Sequence, residues 1–387
     1  MSRPKSGSIY SISWTPDGSQ FAAAGGNGAV LFGAIVGRQW EWKNFEVAML
    51  DEHHLRVTDA SNGAIENLDF RDRVLKCSLG YSHLVVSTTS QCYIFSDRNW
   101  NTPSIIDIPG GGRVTTIQQC PNYFLIVDTV NGIQIHSYEG RIISSPKYPG
   151  LRVEFLTPSL ISLSNDLVAI RDHTDEKAVY LFEVSTGRAI HEKPFLHTTD
   201  ILEVALNPAT SSQRFVCLLD KNRDLFISPC MKPFLKKLGN MVDHFIWNEE
   251  SDMIATITDG KFVTWLYPNV VFVDDDITSY AVSTKDGSSF GRDVQFLGFF
   301  GTQCNLRKSD GSIVSVRNVS PFPGLLHEQV KRKQWEEAVR LCRYAKSKEL
   351  WACLAAMAVH GGDLNTAEVA YAAIDEVRTR SHSTLRM

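Results

Sequence analysis

Asp172, His173, Asp175 and Glu176 stand together in the run RDHTDEK, residues 171–177. Carboxylates beside an imidazole are the raw material of general acid–base catalysis. The run lies between two apolar stretches, however, where a charged hairpin tip is expected. Asp274, Asp275 and Asp276 suggest a cation site, but they lack the alternation and the central glycine of a calcium loop and are expected in a solvated connection. His53 and His54 lie in a polar stretch and read as exposed loop histidines. The chain holds no G-x-x-x-x-G-K-[ST], no H-E-x-x-H and no C-x-x-C, so no phosphate cradle or zinc site is recognisable by spacing. Its 8 cysteines are scattered singly, most within apolar runs such as RFVCLL and WACLAA, and read as buried free thiols. The expectation is a protein without catalysis, cofactor or metal.

Charge and hydropathy narrow the partners. With 39 basic against 43 acidic side chains the formal net charge is −4, which argues against a nucleic-acid surface. No apolar run approaches the ~20 residues that span a bilayer, and MSRPKSGS lacks the core of a secretory signal. A soluble, cytosolic chain is expected. Contact surfaces are the better functional candidates. Trp40 and Trp42 interleave with charges in RQWEWKNF, a pattern that also suits a strand alternating core and solvent. Arg71 and Arg73 follow in DFRDRV. Lys331, Arg332 and Lys333, with Arg340 and Arg343, give one side of a helical stretch a basic character. That side suits an acidic helix or an anionic surface, or is simply solvated.

The elements that would carry these residues repeat. SWTPDGSQFAAAGGNGAVLF laid over IWNEESDMIATITDGKFVTW superposes Trp14 on Trp247, Phe21 on Ile254, and the turn Asn27-Gly28 on Asp259-Gly260. Asn-Gly and Asp-Gly are hairpin signals because both residues tolerate positive φ. Similar units begin near Leu75, Val114, Val153, Glu203 and Val294. A period of roughly 35–45 residues is that of a four-stranded propeller blade, and about seven units fit between Ser8 and Val319. The Trp-Asp pair of WD repeats is absent. Phe182-Glu183 and Phe32-Gly33 stand in its place, so apolar packing is expected to replace the buried polar network. Closure of the ring is expected from the strand around Ile9–Trp14 joining the blade of Val294–Val319.

After Pro321-Phe-Pro323-Gly324 the period changes. Trp335, Ala338, Val339, Cys342 and Ala345 fall on one helical face, as do Trp351, Leu354, Ala355 and Ala358, and Ala367, Ala370, Tyr371, Ile374 and Val377. Gly361-Gly362 separates the second helix from the third, and Asn365 with Glu368 resembles a capping box. The fold class is therefore mainly β with an α C-terminal segment: a roughly seven-bladed WD-repeat-like β-propeller (residues 6–320), then the start of a tetratricopeptide-like α-solenoid (321–377) and a disordered tail (378–387).

Longer motifs carry a specific likeness. GSIYSISWTPDGSQ, WEWKNFEV, NWNTP, YEGRIISSPKYPG, SLSNDLVAIRD and WEEAVRLCRYAKSKELWACLAAMAVHGGDLNTAEVAYAAI resemble the family of the eighty-kilodalton WD-repeat subunit of intraflagellar-transport complex B, over nearly the whole chain. The resemblance implies a non-enzymatic scaffold that supports cilium assembly and anterograde transport. It implies peripheral complex B partners, among them coiled-coil and propeller-solenoid subunits, with self-association as a further expectation. It implies a place in the cilium, at its base and in the cytoplasm. Relative to that family the chain opens at the second propeller and stops after the first solenoid helices. A vesicle-coat subunit and a propeller-fold hydrolase are the alternatives.

Overall fold

The computed structural model describes residues 7–14, 20–34, 39–208, 213–290, 294–308, 312–317 and 320–384. Short runs rich in Val, Ile, Leu and Phe, each bounded by Gly, Asn or Asp, fold as strands, because branched and aromatic side chains fit the pleat and turn residues tolerate sharp reversals. They form eight antiparallel sheets in which strands consecutive in sequence are neighbours. The first sheet is Ile9–Trp14, Gln20–Gly25 and Val30–Ala34, and the second is Gln39–Trp42, Phe45–Met49, His54–Asp59 and Ala64–Asp69. The third is Val74–Gly80, His83–Thr88, Gln91–Ser96 and Asn99–Asp107. The fourth is Val114–Gln119, Tyr123–Asp128, Gly132–Ser137 and Ile142–Ser144, and the fifth Ile161–Leu163, Leu167–Arg171, Ala178–Glu183 and Phe195–Leu196. The sixth is Ile201–Leu206, Phe215–Asp220, Leu225–Pro229 and Lys236–Gly239, and the seventh Val242–Trp247, Ile254–Thr258, Lys261–Trp265 and Val282–Asp286. The eighth is Gln295–Phe300, Gln303–Arg307 and Ile313–Arg317.

The internal repeat holds at atomic register. Trp14 pairs with Phe21 across its hairpin, and Trp247 pairs with Ile254 in the same way. Gly28 and the pair Asp259-Gly260 take positive φ at the matching turns. First strands share another feature: a bulge near the start, at Ile9/Ser11, Val74/Lys76, Ile201/Glu203, Val242/His244 and Phe296/Gly298. A bulge adds local twist, which lets a small sheet lie obliquely on its neighbour.

Three expectations change. The described residues form eight sheets where the sequence period predicts about seven units, because nothing in the sequence of the second sheet marks it as a unit. Its strands FEVAM, HLRVTD and AIENLD interleave charges with apolar residues, so no continuous apolar run marks them. The strand Ile9–Trp14 sits in a three-stranded sheet with Gln20–Gly25 and Val30–Ala34, and the strands from Gln295 to Arg317 form a separate one, so among the described residues the expected shared closing sheet is not formed. Phe32, taken as a packing residue, is 82% exposed, whereas its counterpart Phe182 is buried.

The chain forms two compact units, residues 1–117 with 128–131, and residues 118–127 with 132–387. Inside the first, the second and third sheets share a core of Val47, Leu55, Val57, Leu68, Phe70, Leu84, Val86 and Phe95. Inside the second, Cys120, Leu125, Ile133, Ile161, Ile170 and Phe182 fill one core, and Leu167, Ala169, Val204, Val216 and Leu218 another. A third and larger core runs from the sixth sheet through the eighth into the helices. All eight cysteines are free thiols; burial pushes Cys120 up to about 11 and Cys92 to about 12, so they stay protonated.

Four helices follow the sheets: α1 Pro321–Lys331, α2 Trp335–Ala345, α3 Lys348–Gly361 and α4 Leu364–Thr384. The sequence reading expected three. α1 begins on the prolines read as a boundary, since a proline in the first turn lacks only an N–H that has no helical partner. The α3 stop is as expected, with Gly362 in the left-handed conformation at φ 78°. Asp363, rather than Asn365, caps α4 by accepting from the Thr366 amide at 3.3 Å. α4 continues to Thr384, past Val377, because VRTRSHST contains no glycine or proline to end it.

His136 shows how tightly the fourth sheet is sealed. Its ring stacks on Phe124 with centroids 5.3 Å apart, and burial pushes the imidazole down to about 4. The folded protein therefore holds a neutral ring, while the unfolded chain binds a proton near its ordinary 6.5. Stability falls as pH drops from 6.5 towards 4, by roughly 1 kcal/mol at pH 5.5. His136→Phe should shrink the difference in unfolding free energy between pH 7.5 and 5.5 by about that amount. An unchanged difference in paired urea titrations would refute this account.

Candidate functional site

Three second strands end on an aspartate or run directly into one, in the runs YFLIVD, LVAIRD and FVCLLD. Asp128, Asp172 and Asp220 are all buried, at 1%, 6% and 2% exposure. A buried carboxylate requires donors, and each aspartate finds them locally. Asp128 accepts from the amides of Val130 at 3.4 Å and Asn131 at 3.2 Å, and the Asn131 side-chain amide donates to the Pro109 carbonyl at 3.0 Å. Gly112 lies so close that a Cβ there would fall 2.1 Å from Asp128 Oδ1, so only glycine fits. Asp172 accepts from Thr174 Oγ1 at 2.6 Å and from the Tyr148 hydroxyl at 3.1 Å. Asp220 accepts from Thr199 Oγ1 at 2.6 Å and the Asp224 amide at 2.8 Å, and His197 Nε2 approaches at 3.4 Å. Burial would raise the Asp220 carboxyl, but hydrogen bonds from Thr199, Asp224 and His197 outweigh it and hold it below the usual range.

These contacts correct the expectation that apolar packing replaces the polar network. The network is present, one strand earlier than the Trp-Asp position. Glu183, read as the surviving carboxylate, is exposed and accepts only a turn bond from Thr186 Oγ1 at 2.8 Å. The signal was legible: an apolar strand ending in Asp before a turn recurs in three successive units.

The catalytic candidates have structural employment. Asp172 belongs to the anchor above, and Arg171 pairs with Glu176 at 3.1 Å across the same tip. Asp274 caps the short helix Asp275–Thr278 by accepting from the Asp276 amide at 2.9 Å, and Asp275 pairs with Lys236 at 3.2 Å. His54 Nδ1 lies 2.7 Å from Asp51 on the surface.

The contact candidates separate by burial and pairing. Trp42 is 7% exposed with Lys43 Nζ 4.8 Å from its ring centroid, and Trp40 packs against the core of the second and third sheets, so neither indole is a free surface residue. Arg73 pairs with Glu52 at 3.3 Å. On the helices, Arg332 meets Glu328 at 2.5 Å, and Arg340 meets Glu337 at 2.7 Å and Glu336 at 4.0 Å. These short-range pairs neutralise much of the basic side. Lys331 is exposed at its edge. Arg71, Lys333 and Arg343 are exposed and have no ion pair among the described residues.

Comparison with known proteins places this architecture. The family description "IFT80 second beta-propeller" matches residues 37–322, and "IFT80/172/WDR35/WDR19 TPR domain" matches residues 350–382. The first sheet precedes the first of these ranges. The chain is 46% identical over 384 residues to the intraflagellar transport protein 80 homologues of Mus musculus and Rattus norvegicus, covering 97% of this chain and 49% of each relative. It therefore spans about half the length of the curated relatives it matches. Among solved structures, the computationally designed Ika8 protein aligns with 80% of this chain and 96% of its own, at 10% identity and a TM-score of 0.49.

The Asp220 anchor can be tested directly. Asp220→Ala strands the Thr199 hydroxyl, the His197 ring and the Asp224 amide without their acceptor, at a cost on the order of 2–4 kcal/mol. Asp220→Asn retains an acceptor oxygen and should cost less. The urea midpoint followed by tryptophan fluorescence measures both, and an Ala variant as stable as the parent would disprove the anchoring role.

Proposed function

This chain belongs to the IFT80 family, and from that premise we propose that it is a non-catalytic scaffold of intraflagellar-transport complex B. It supports cilium assembly and anterograde transport through protein–protein contacts. One observation carries the reading: the IFT80 second-propeller description and a TPR description that IFT80 shares with 172, WDR35 and WDR19 match in order along the chain, and 46% identity extends over 97% of it. Its partners are other complex B subunits of the peripheral subcomplex, coiled-coil and propeller-solenoid proteins among them, and a second copy of the same chain. Its place is the cilium, the ciliary base and the cytoplasm. The vesicle-coat reading rests on shared architecture alone and is not favoured beside this match.

The sheets and helices divide the labour in this proposal. We assign residues 6–320 to the propeller platform and residues 321–377 to the solenoid start, whose last helix runs on to Thr384 in place of the expected tail at 378–387. Arg71, Lys333 and Arg343 are the contact residues it favours, because their charges are exposed and available to an acidic partner. Arg73, Lys331, Arg332 and Arg340 flank them. Trp40 and Trp42 support the surface from beneath.

The test is affinity purification of the tagged chain from ciliated cells. Complex B subunits should be enriched over an untagged control; coat subunits, or background alone, would defeat the proposal. The pair Lys333→Glu and Arg343→Glu should lower that recovery by about threefold or more while leaving the melting temperature unchanged, since charge reversal at an exposed rim acts on association rather than folding.

A further inference from the structure

A cavity of about 770 Å³ opens in the second unit between the turns of the seventh and eighth sheets and helices α1 and α3. Its size is that of a site for a small ligand or an anchoring side chain. One wall is apolar, made by Leu325, Val330, Trp335 and Met357, with Tyr267 beside it. A Cβ on Gly361 would lie 2.8 Å from the edge of the Trp335 ring, so glycine is what lets the indole approach α3 this closely.

The opposite wall is polar and rigidly built. Asn248 Oδ1 accepts from the Glu250 amide at 3.0 Å and the Ser251 amide at 3.1 Å, and its Nδ2 donates to the Gly301 carbonyl at 3.1 Å. This ties the two turns together. Asp252 projects from the clamped turn. Asn207 Nδ2 donates to its Oδ1 at 2.8 Å, and Asn207 is itself fixed by accepting the Phe215 amide at 2.8 Å. The second oxygen, Oδ2, has no donor among the described residues and is not sealed off from the cavity.

No described cation lies within ion-pair distance of Asp252. Three basic groups act on it from farther off. Arg214 is engaged by Asp166 at 2.7 Å. His327 on α1 donates Nε2–H to the Leu266 carbonyl at 2.7 Å, and burial holds its ring on the neutral side. His360 lies at the exposed end of α3. The other acids lining the cavity are Glu250, on the clamped turn, and Glu328, taken by Arg332 at 2.5 Å. Burial raises the Asp252 carboxyl above its usual range, so a preoriented carboxyl without an ion-pair partner sits beside the apolar lining, and its charged form gains most from a cation brought to it.

We propose that this cavity receives a lysine or arginine side chain carried by a linear segment of a partner protein. The head group meets Asp252 Oδ2, and the aliphatic stem and a neighbouring apolar residue lie along Leu325, Val330, Trp335 and Met357. Such side chains bury a long stem while their charge is matched at the tip. The inference deepens the scaffold reading by assigning a site and a partner chemistry. Its test uses the purified chain alone, so it fails or succeeds separately from recruitment in cells.

The probes are acetylated, amidated peptides Gly-Ser-Leu-Arg-Leu-Ser-Gly and versions with Lys, Gln or Glu at the central position, titrated by calorimetry. The Arg and Lys peptides should bind about tenfold or more tightly than the Gln peptide, and the Glu peptide weakest of all. Asp252→Asn should erase the preference for Arg over Gln. Leu325→Arg, at a site 43% exposed and therefore tolerant, should block the mouth and weaken the Arg peptide about tenfold with the melting temperature unchanged. Equal binding of all four peptides, preference for Glu through Lys331 and Lys333 at the rim, or no binding up to roughly 1 mM would each overturn the proposal.

Discussion

The second strands of the fourth, fifth and sixth sheets have no side that faces water. Phe124–Asp128, Leu167–Arg171 and Phe215–Asp220 are buried at every residue, so side chains on both faces of the strand need cover. A single small sheet cannot provide that, since a lone hairpin or meander is marginal in water. Each sheet must be sandwiched by neighbours, and the repeat follows from this requirement. It also explains why the strands read as continuous apolar runs rather than as alternating ones.

Double burial creates a difficulty where the strand ends. The chain must reverse while still beneath the next sheet, and its backbone N–H groups there need acceptors. Asp128, Asp172 and Asp220 meet that need at three successive reversals, each supplying a charged acceptor to the turn that follows. Neighbouring connections then borrow the same carboxylate: Tyr148 reaches Asp172, and Thr199 and His197 reach Asp220. One side chain thereby holds both a turn and the strand connection beside it. The network is buried, so removal of one member leaves the rest uncompensated.

Much of this was readable in the sequence, and the failures share a cause. Apolar runs and Asn-Gly or Asp-Gly turns marked seven of the sheets, because hydrophobic content and turn chemistry are local. The second sheet escaped because Glu46, Arg56 and Glu66 break up its runs; those residues lie exposed or half-buried while Val47, Leu55 and Val57 fill the core. Phe32 and Phe182 look alike in sequence, yet one is exposed and the other buried, since burial is decided by which sheet lies alongside. The basic helical side shrank for a simpler reason. Glu328, Glu336 and Glu337 lie three or four residues from Arg332 and Arg340, the helical spacing at which charges meet. The cavity at Asp252 was illegible because its walls are separated by long stretches of chain.

The helices show that a boundary in sequence need not be a boundary in the core. The period changes at Pro321, but the largest core continues from Phe215, Leu225 and Trp265 through Val270 into Leu326, Trp351 and Ile374. α3 is buried at every residue from Leu350 to Ala358, more than one amphipathic face could account for. Ala352, Ala355, Ala356 and Ala358 keep it slim enough to be covered on several sides at once. At its start Lys348 lies over the Tyr280 ring, 3.5 Å from the centroid, and His327 on α1 bonds the Leu266 carbonyl beside the seventh sheet. The helical segment is therefore packed as part of the body formed by the later sheets rather than tethered to it. For a scaffold this distinction matters: contact residues on the helices and on those sheets hold fixed separations, so a partner that engages both meets a preorganised surface and loses less freedom on binding.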